Sequence, residues 1–556
     1  MLHHACPAKP HLPQESVTMA WEGLAASKRQ ALADSIPEEW RIQSSDEISA
    51  KSLINVTEWQ PRPEYFSPLE LEITSSTAAQ LLTCIRSGTW SSEQVIRAFC
   101  KRAAVGHQLL NCLSETMFHP ALERARTLDE HLRRTGKPIG PLHGLPISLK
   151  DCFNVAGKDS TVGFAHWIDK PAERNSTLVD LLITLGAVPY LKTNVPTAMM
   201  IAETVNNVFG RTLNPLNRQL TPGGSSGGES ALIAYGGSCL GVGTDIGGSL
   251  RIPASCTGIF TLRPSFGRFP TGGAASGLAG QEAINSVNGP MARTLNDIKL
   301  FARVVVGAEP WRVDPKCVPI PWRDITLPKK LKIGVLWHDD VSRPTPPVQR
   351  ALKHTAERLR KSGHEIVDWP PDLHKELLDI MRAFFLVDGG KTIQAILDPV
   401  GEPWRPEMND YKVTEERGVS ELWRMQANRT RVVTAYLQRI REAGLGAILC
   451  PTTPYACTSH TKFKYVGYTG VFNVLDYSAL SFPTGLTVDT TLDVASKGQP
   501  ILSAWDEEAQ NDYDAEVIRN MPISLQLVAG RLEEEKVIAM AREVLHALRH
   551  EERAAT

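Results

Sequence analysis

The chain has 556 residues, 42% hydrophobic and 22% charged, with a formal net charge of −1. That length can bury a large core, and the composition is that of an ordinary globular protein. A balance so close to zero leaves no electrostatic footprint for nucleic acid or an anionic membrane surface. No run of about 18 apolar residues offers a transmembrane helix.

The first 19 residues hold three histidines and three prolines and lack an apolar signal core, so a disordered tail is expected there. Residues 20–70 read as an N-terminal helical arm. Its helix opens at about Met19 in AWEGLAASKRQALADSIPEEW and stops before Pro37, and 42–70 is an extended, proline-marked lead into the body. From Leu71 to about 550 a single domain is expected. Its first helices are capped by Ser75 or Ser76 and by Ser91 or Ser92 and closed by Gly88, and a third ends at Gly136.

GPLHGLPISLKDCF reads as a turn and a short apolar strand with Lys150 at its end. NSTLVDLLITLGAVPYLKT reads as a helix capped by Ser176 and Thr177, followed by a strand. KLKIGVLW, GLGAILCPTTP and MPISLQLVAG are further strands among helices, and EEEKVIAMAREVLHALRH is a final amphipathic helix. Helices alternating with short apolar runs predict an α/β layered fold. Ten cysteines include no C-x-x-C pair and no zinc-ligand spacing. They are expected to be free thiols of a reducing compartment, which makes a cytoplasmic enzyme the default.

The chemistry concentrates between Thr221 and Pro270. Ser225 lies in GGSSGG and Ser249 in DIGGSLRIP. A serine hydroxyl needs a base, and no histidine lies in that stretch. Lysine can serve if burial lowers its pKa from about 10.4 toward neutrality. Lys150 follows Leu145, Pro146, Ile147 and Leu149, a setting that predicts burial. Ser225 could then carry a proton between Ser249 and Lys150. Gly247 and Gly248 free the backbone to aim the N–H groups of Ile246, Gly247, Gly248 and Ser249 at one point, as an oxyanion hole requires.

GGSSGGESALIAYGGSCLGVGTDIGGSLRIPA, with GLPISLKD upstream, resembles the signature of the amidase signature family of serine hydrolases. WEGLAASKRQALADSIPEEW, ETVNNVFGRTLNP and GAEPWRVDP are similar to fungal acetamidases and general amidases within it. The likeness runs from about Trp21 to the last helix and is most specific over about 141–270. It implies an α/β/α sandwich with a large twisted mixed sheet covered by helices. It implies Ser249 as nucleophile, Ser225 as bridging serine with a cis peptide bond to Gly224, and Lys150 as base and then acid. Ser226, Asp245 and Arg251 match positions that brace the site, and Met199 matches one whose backbone lines the substrate pocket. The implied reaction is hydrolysis of a carboxylic amide, a small aliphatic one first, to the acid and ammonia, with no metal or organic cofactor. In a fungus it would serve nitrogen or carbon supply, or a specialised-metabolite pathway. The expected partner is the small-molecule amide, with no nucleic acid and no membrane, and a homodimer is common among relatives.

Competing readings differ in testable ways. A fatty-acid-amide or ester hydrolase would use the same triad with a wider pocket. An amidase subunit of a tRNA-dependent amidotransferase would need a partner chain. A catalytically silent scaffold would keep the fold without turnover. Gly224 to Gly228 also fits G-x-S-x-G, which would make Ser226 the nucleophile of an elbow, but an elbow follows a strand and TLNPLNRQLTPGG reads as loop. His143, Cys152, Met200, Trp311 and Trp322 are read as structural residues.

Overall fold

The computed structural model describes residues 20–43, 46, 52–59, 65–412, 415–495 and 498–549. Eleven strands form one mixed sheet. In chain order they are β1 (Leu113–Thr116), β2 (Pro146–Lys150), β3 (Val188–Thr193), β6 (Leu240–Asp245), β7 (Phe260–Arg263), β8 (Val287–Ala292), β9 (Lys332–Val335), β10 (Glu365–Asp368), β11 (Ala447–Pro451), β12 (Ala479–Thr487) and β13 (Pro522–Val528). Between β3 and β6, β4 (Val205–Asn206) and β5 (Gly210–Arg211) make a small separate hairpin. The order across the large sheet is β1-β3-β2-β6-β8-β7-β12-β13-β11-β9-β10.

β2 runs parallel to both β3 and β6, and β9 runs parallel to both β10 and β11. The strands between these two parallel ends pair antiparallel. Every residue of β2, β6 and β11 is buried. Strands covered on both faces carry runs of apolar and small residues instead of a strict alternation, which is how PISLK, LGVGTD and AILCP read. The helix Gly227–Tyr235 lies on β2, β3, β6 and β8, and the last helix, Glu534–Arg549, lies on β12 and β13. This is the large mixed sheet covered by helices that the family resemblance implies.

Helix starts required corrections. Neither Ser75 nor Ser76 caps the first body helix. Ser67 caps a helix over Pro68–Ser75, and Thr77 caps the next, Ala78–Ser87, each through a capping box. The reciprocal partners are Glu70 and Gln80, so the S/T-x-x-E/Q pattern was present in both places and Pro68 sits where helices accept proline. Ser91 caps Ser92–Leu110 as expected, with Gln94 completing the box. Ser176 stands at the N-cap of Thr177–Thr184 without capping it. Its hydroxyl donates to the Gly273 carbonyl and accepts from the Asn154 N–H, tying two loops together instead.

The expected tail, residues 1–19, lies outside the described residues. The arm's helix, Trp21–Asp34, packs back on the body. Lys28 Nζ donates to Asp159 Oδ2 at 2.6 Å and also contacts the Glu115 carboxylate. Burial alone would lower the lysine pKa, but the two carboxylates more than offset that and raise it. Removing the cation would leave two half-buried or buried carboxylates facing each other. Lys28→Met is therefore expected to loosen the arm, and limited proteolysis should cut between residues 34 and 67 faster than in the parent chain. Unchanged cleavage rates would show that the arm is held without this ion pair, by its apolar packing and by other contacts such as Arg29 to the Val208 carbonyl.

Candidate active site

Lys150 ends β2, where an apolar strand carries its side chain into the protein. It is fully buried, and its two hydrogen-bond partners are buried with it. Lys150 Nζ donates to Ser225 Oγ at 2.7 Å and to Thr244 Oγ1 at 2.6 Å. Among the described residues it forms no salt bridge. Burial therefore dominates and lowers its pKa to about 8, against the smaller upward pull of Cys152, Asp245, Glu229 and Asp151. Ser225 sits on the loop before the helix Gly227–Tyr235, and the Gly224–Ser225 peptide is cis. No strand precedes this loop, so the context of a nucleophile elbow is missing.

The second loop joins β6 to the short helix Arg251–Thr257. Asp245, the last residue of β6, organises it. One carboxylate oxygen accepts from the Gly248 N–H at 2.9 Å and from Asn473 Nδ2 at 2.8 Å, and the other from the Leu250 N–H at 3.1 Å. Arg251 grips both oxygens, from Nη2 and Nε, each at 3.0 Å. Burial would raise the Asp245 carboxyl, but Arg251 overrides it and holds the pKa at about 2. Arg251 also donates to Asn473 Oδ1 at 2.6 Å and Gln526 Oε1 at 3.2 Å, which anchors the loop to β13 and the helix Gly467–Leu475.

This arrangement narrows the expected set of oxyanion donors. Of Ile246, Gly247, Gly248 and Ser249, Gly248 has already given its N–H to Asp245. Its glycine is needed for another reason. Its φ is +135°, and a Cβ there would collide with Thr469 Oγ1 and come within 2.7 Å of Ile252 Cδ1. Thr469 in turn donates to the Gly247 carbonyl at 2.7 Å, so that peptide's oxygen is drawn toward the helix Gly467–Leu475. The N–H groups of Ile246, Gly247 and Ser249 have no protein acceptor among the described hydrogen bonds.

Ser226 braces the two loops. Its N–H donates to the Ser249 carbonyl at 3.1 Å, and its hydroxyl accepts from the Thr244 N–H and donates to the Thr244 carbonyl, both at 3.3 Å. Ser249 itself is half-buried and lines a cavity of about 40 Å³ with Met199, Ile246, Gly247, Gly224 and Phe385. Ala198 and Met199 have φ values of +58° and +59°, a rare conformation for side chains of their type. The small cavity shares Met200, Ile201, Ala202, Phe385, Tyr411 and Val466 with one of about 360 Å³.

The sequence reading omitted Thr244, Thr469, Asn473 and Gln526. Thr244 had a usable signal, since it precedes Asp245 in a strand that had to run past Lys150. The other three come from more than 200 residues away and carry no local pattern. Of the residues read as structural, Met200 lines the small cavity with Ser249, and Cys152 lies close enough to Lys150 to act on its charge. His143 accepts the Ile139 N–H at 3.0 Å through Nδ1, and burial raises the Cys152 thiol to about 11.

A protein-family model described as Amidase matches residues 94–538. The acetamidase of Emericella nidulans is 39% identical over 541 residues, covering 94% of this chain and 98% of that protein. The acetamidase of Aspergillus oryzae is 38% identical, with 96% and 99% covered. Among solved structures, fatty acid amide hydrolase superposes with a TM-score of 0.91 at 31% identity, covering 95% of each chain. The chain belongs to the amidase family, the amidase signature enzymes, and it hydrolyses amides. No helix among the described residues is long and apolar enough to cross a membrane.

Breaking a buried ion pair from one side strands the other charge. Arg251→Leu is expected to cost about 3–5 kcal/mol of stability in denaturant unfolding. A loss below about 1 kcal/mol would show that Asn473 and the backbone N–H groups suffice to hold Asp245.

Proposed function

We propose that Ser249 is the nucleophile, Ser225 the bridging serine and Lys150 the base of an acyl-enzyme amidase. The observation that carries this reading is the 2.7 Å contact between the buried Lys150 amine and Ser225 Oγ. In the neutral amine that contact runs the other way, and the lysine accepts the Ser225 proton. Ser225 takes the Ser249 proton as Ser249 Oγ attacks the amide carbonyl. The oxyanion is met by the N–H groups of Ile246, Gly247 and Ser249, while Gly248 holds the loop through Asp245. Ser225 then delivers a proton to the leaving nitrogen, and ammonia or an amine departs. Water enters, the relay runs again, and the carboxylic acid is freed.

Turnover needs neutral Lys150. Its pKa is lowered to about 8, so kcat/KM is expected to rise with pH and level off above about 8. Asp245, held at about 2, stays ionised throughout that range. Lys150→Ala is expected to lower kcat/KM by about 10²–10⁴-fold. Wild-type turnover at neutral pH in that variant would remove lysine from the mechanism.

The acetamidase relatives support a small aliphatic amide as substrate. The cavity of about 360 Å³ that adjoins the small one lined by Ser249 supports a second reading, an amide with a longer acyl group. Its walls include Leu378, Met381, Phe463 and Trp505, which suit an apolar chain. A panel from acetamide to dodecanamide decides. A kcat/KM that peaks at acetamide supports the first reading, and one that climbs with chain length supports the second.

The nine described cysteines are free thiols, eight of them buried, which supports a cytoplasmic setting. Residues 71–550 are taken as one catalytic domain with 20–70 as its arm, and a homodimer as the assembly. Light scattering after size exclusion checks the dimer against the 61.1 kDa chain mass.

A further inference from the structure

One carboxylate beneath the relay has no part in the reaction as described. Glu229 is fully buried on the first turn of the helix Gly227–Tyr235, four residues after Ser225 in the chain. It forms no salt bridge among the described residues. Thr193 Oγ1 donates to its Oε2 at 2.7 Å, and the Ser148 hydroxyl donates to its Oε1. Both donors belong to the strands that hold Lys150. Ser148 is two residues before Lys150 on β2, on the same side of the strand, and Thr193 on β3 pairs in register with Lys150. The carboxylate lies over Gly241 of β6, where a Cβ would collide with Glu229 Oε1 and approach Ser148 Oγ to 2.6 Å. The strand thus leaves room at that point for the acid.

We propose that Glu229 is a positioning residue for the relay: its carboxylate buckles the helix that follows Ser225 to the strand that ends at Lys150, and its charge stabilises the ammonium formed when Lys150 takes the proton. This rests on the relay reading given above. The lysine becomes positive during attack, in a site where water cannot screen it, so a fixed negative charge there favours the transition state.

The surrounding groups leave Glu229 as the carboxylate not already matched by a cation or backbone donors. On the Lys150 side, Asp245 is bound to Arg251, and Cys152 is a thiol raised to about 11. Asp151 accepts from Ser114, Thr161 and the Val162 N–H and lies 3.8 Å from Lys192. On the Glu229 side, the Cys112 thiol and Tyr190 phenol are pushed up by burial and stay neutral. Glu229 itself is raised to about 7, by burial first, against the pull of Ser148, Thr193 and Lys150. Burial thus moves the Glu229 carboxyl up and the Lys150 amine down, toward one another.

Glu229→Gln keeps the shape and can keep both hydroxyl contacts while removing the charge. Without that charge the ammonium loses support, so the Lys150 pKa falls. The acid limb of the kcat/KM profile is expected to move down by about one pH unit. The plateau kcat should fall by up to about tenfold because the lysine is then a weaker base, with KM unchanged. Ser148→Ala removes one donor from the carboxylate, makes it easier to protonate, and should move the limb the same way by less. A merely structural buckle would lower Tm in these variants and leave the limb where it is. An unmoved limb in folded Glu229→Gln, or in folded Ser148→Ala should the first variant not fold, overturns the proposal. Lys150→Met is the control for the relay itself. If its residual activity keeps the same acid limb, the relay reading fails, and this inference falls with it.

Discussion

An amine buried away from solvent and without a paired carboxylate gives up much of its preference for the proton. That is the situation of Lys150. It ends a five-residue strand buried on both faces, and among the described residues the hydroxyls of Ser225 and Thr244 are its hydrogen-bond partners. A salt bridge to Lys150 would restore the charge and leave no neutral amine. The nearby carboxylates are kept from direct contact. Asp245 is committed to Arg251, Asp151 to Lys192 and three other donors, and Glu229 to two hydroxyls. The site withholds a pairing that most buried lysines would need.

The serine loops show the complementary arrangement, an ion pair placed where full charge is wanted. Asp245 and Arg251 bracket the turn that holds Ile246 to Ser249, and their bidentate contact fixes its ends. Thr469, Asn473 and Gln526 extend that grip to a helix and strand more than 200 residues further along the chain. The turn is therefore rigid because distant parts of the sheet meet there, and Gly248 is spent on holding it. Ser226 links the Ser249 loop back to the strand beside Lys150. Lys150 and Ser249 thus follow from neighbouring strands of one parallel pair, β2 and β6, while Ser225 comes from the loop before the helix Gly227–Tyr235 that lies over them.

Much of this was legible in the sequence, and the parts that were not share a cause. Lys150, Ser225, Ser249, Asp245 and Arg251 each sit in a local pattern that states its own purpose: an apolar approach, glycine flanks, or an acid and a base six residues apart. Gly248 was assigned to the oxyanion because glycines before a serine suggest free N–H groups, and its bond to Asp245 depends on how the turn closes. Thr469, Asn473 and Gln526 could not be found because no local pattern reports a partner so far along the chain. Ser67 and Thr77 were missed although both capping boxes were written in the chain, since adjacent Ser75 and Ser76 offered a nearer cap. Glu229 read as an ordinary early-turn acid. Only the strand register that sets Ser148 and Thr193 against it gives it a place in the site.

The most direct test is the rate at which a fluorophosphonate labels Ser249 as a function of pH, with the labelled peptide identified by mass spectrometry. Labelling needs the nucleophile and its base but no leaving-group proton and no deacylation. The rate should rise through a single ionisation near pH 8, and that ionisation should vanish in Lys150→Met while the protein stays folded. Labelling on another serine, or the same ionisation in the absence of Lys150, would contradict the account.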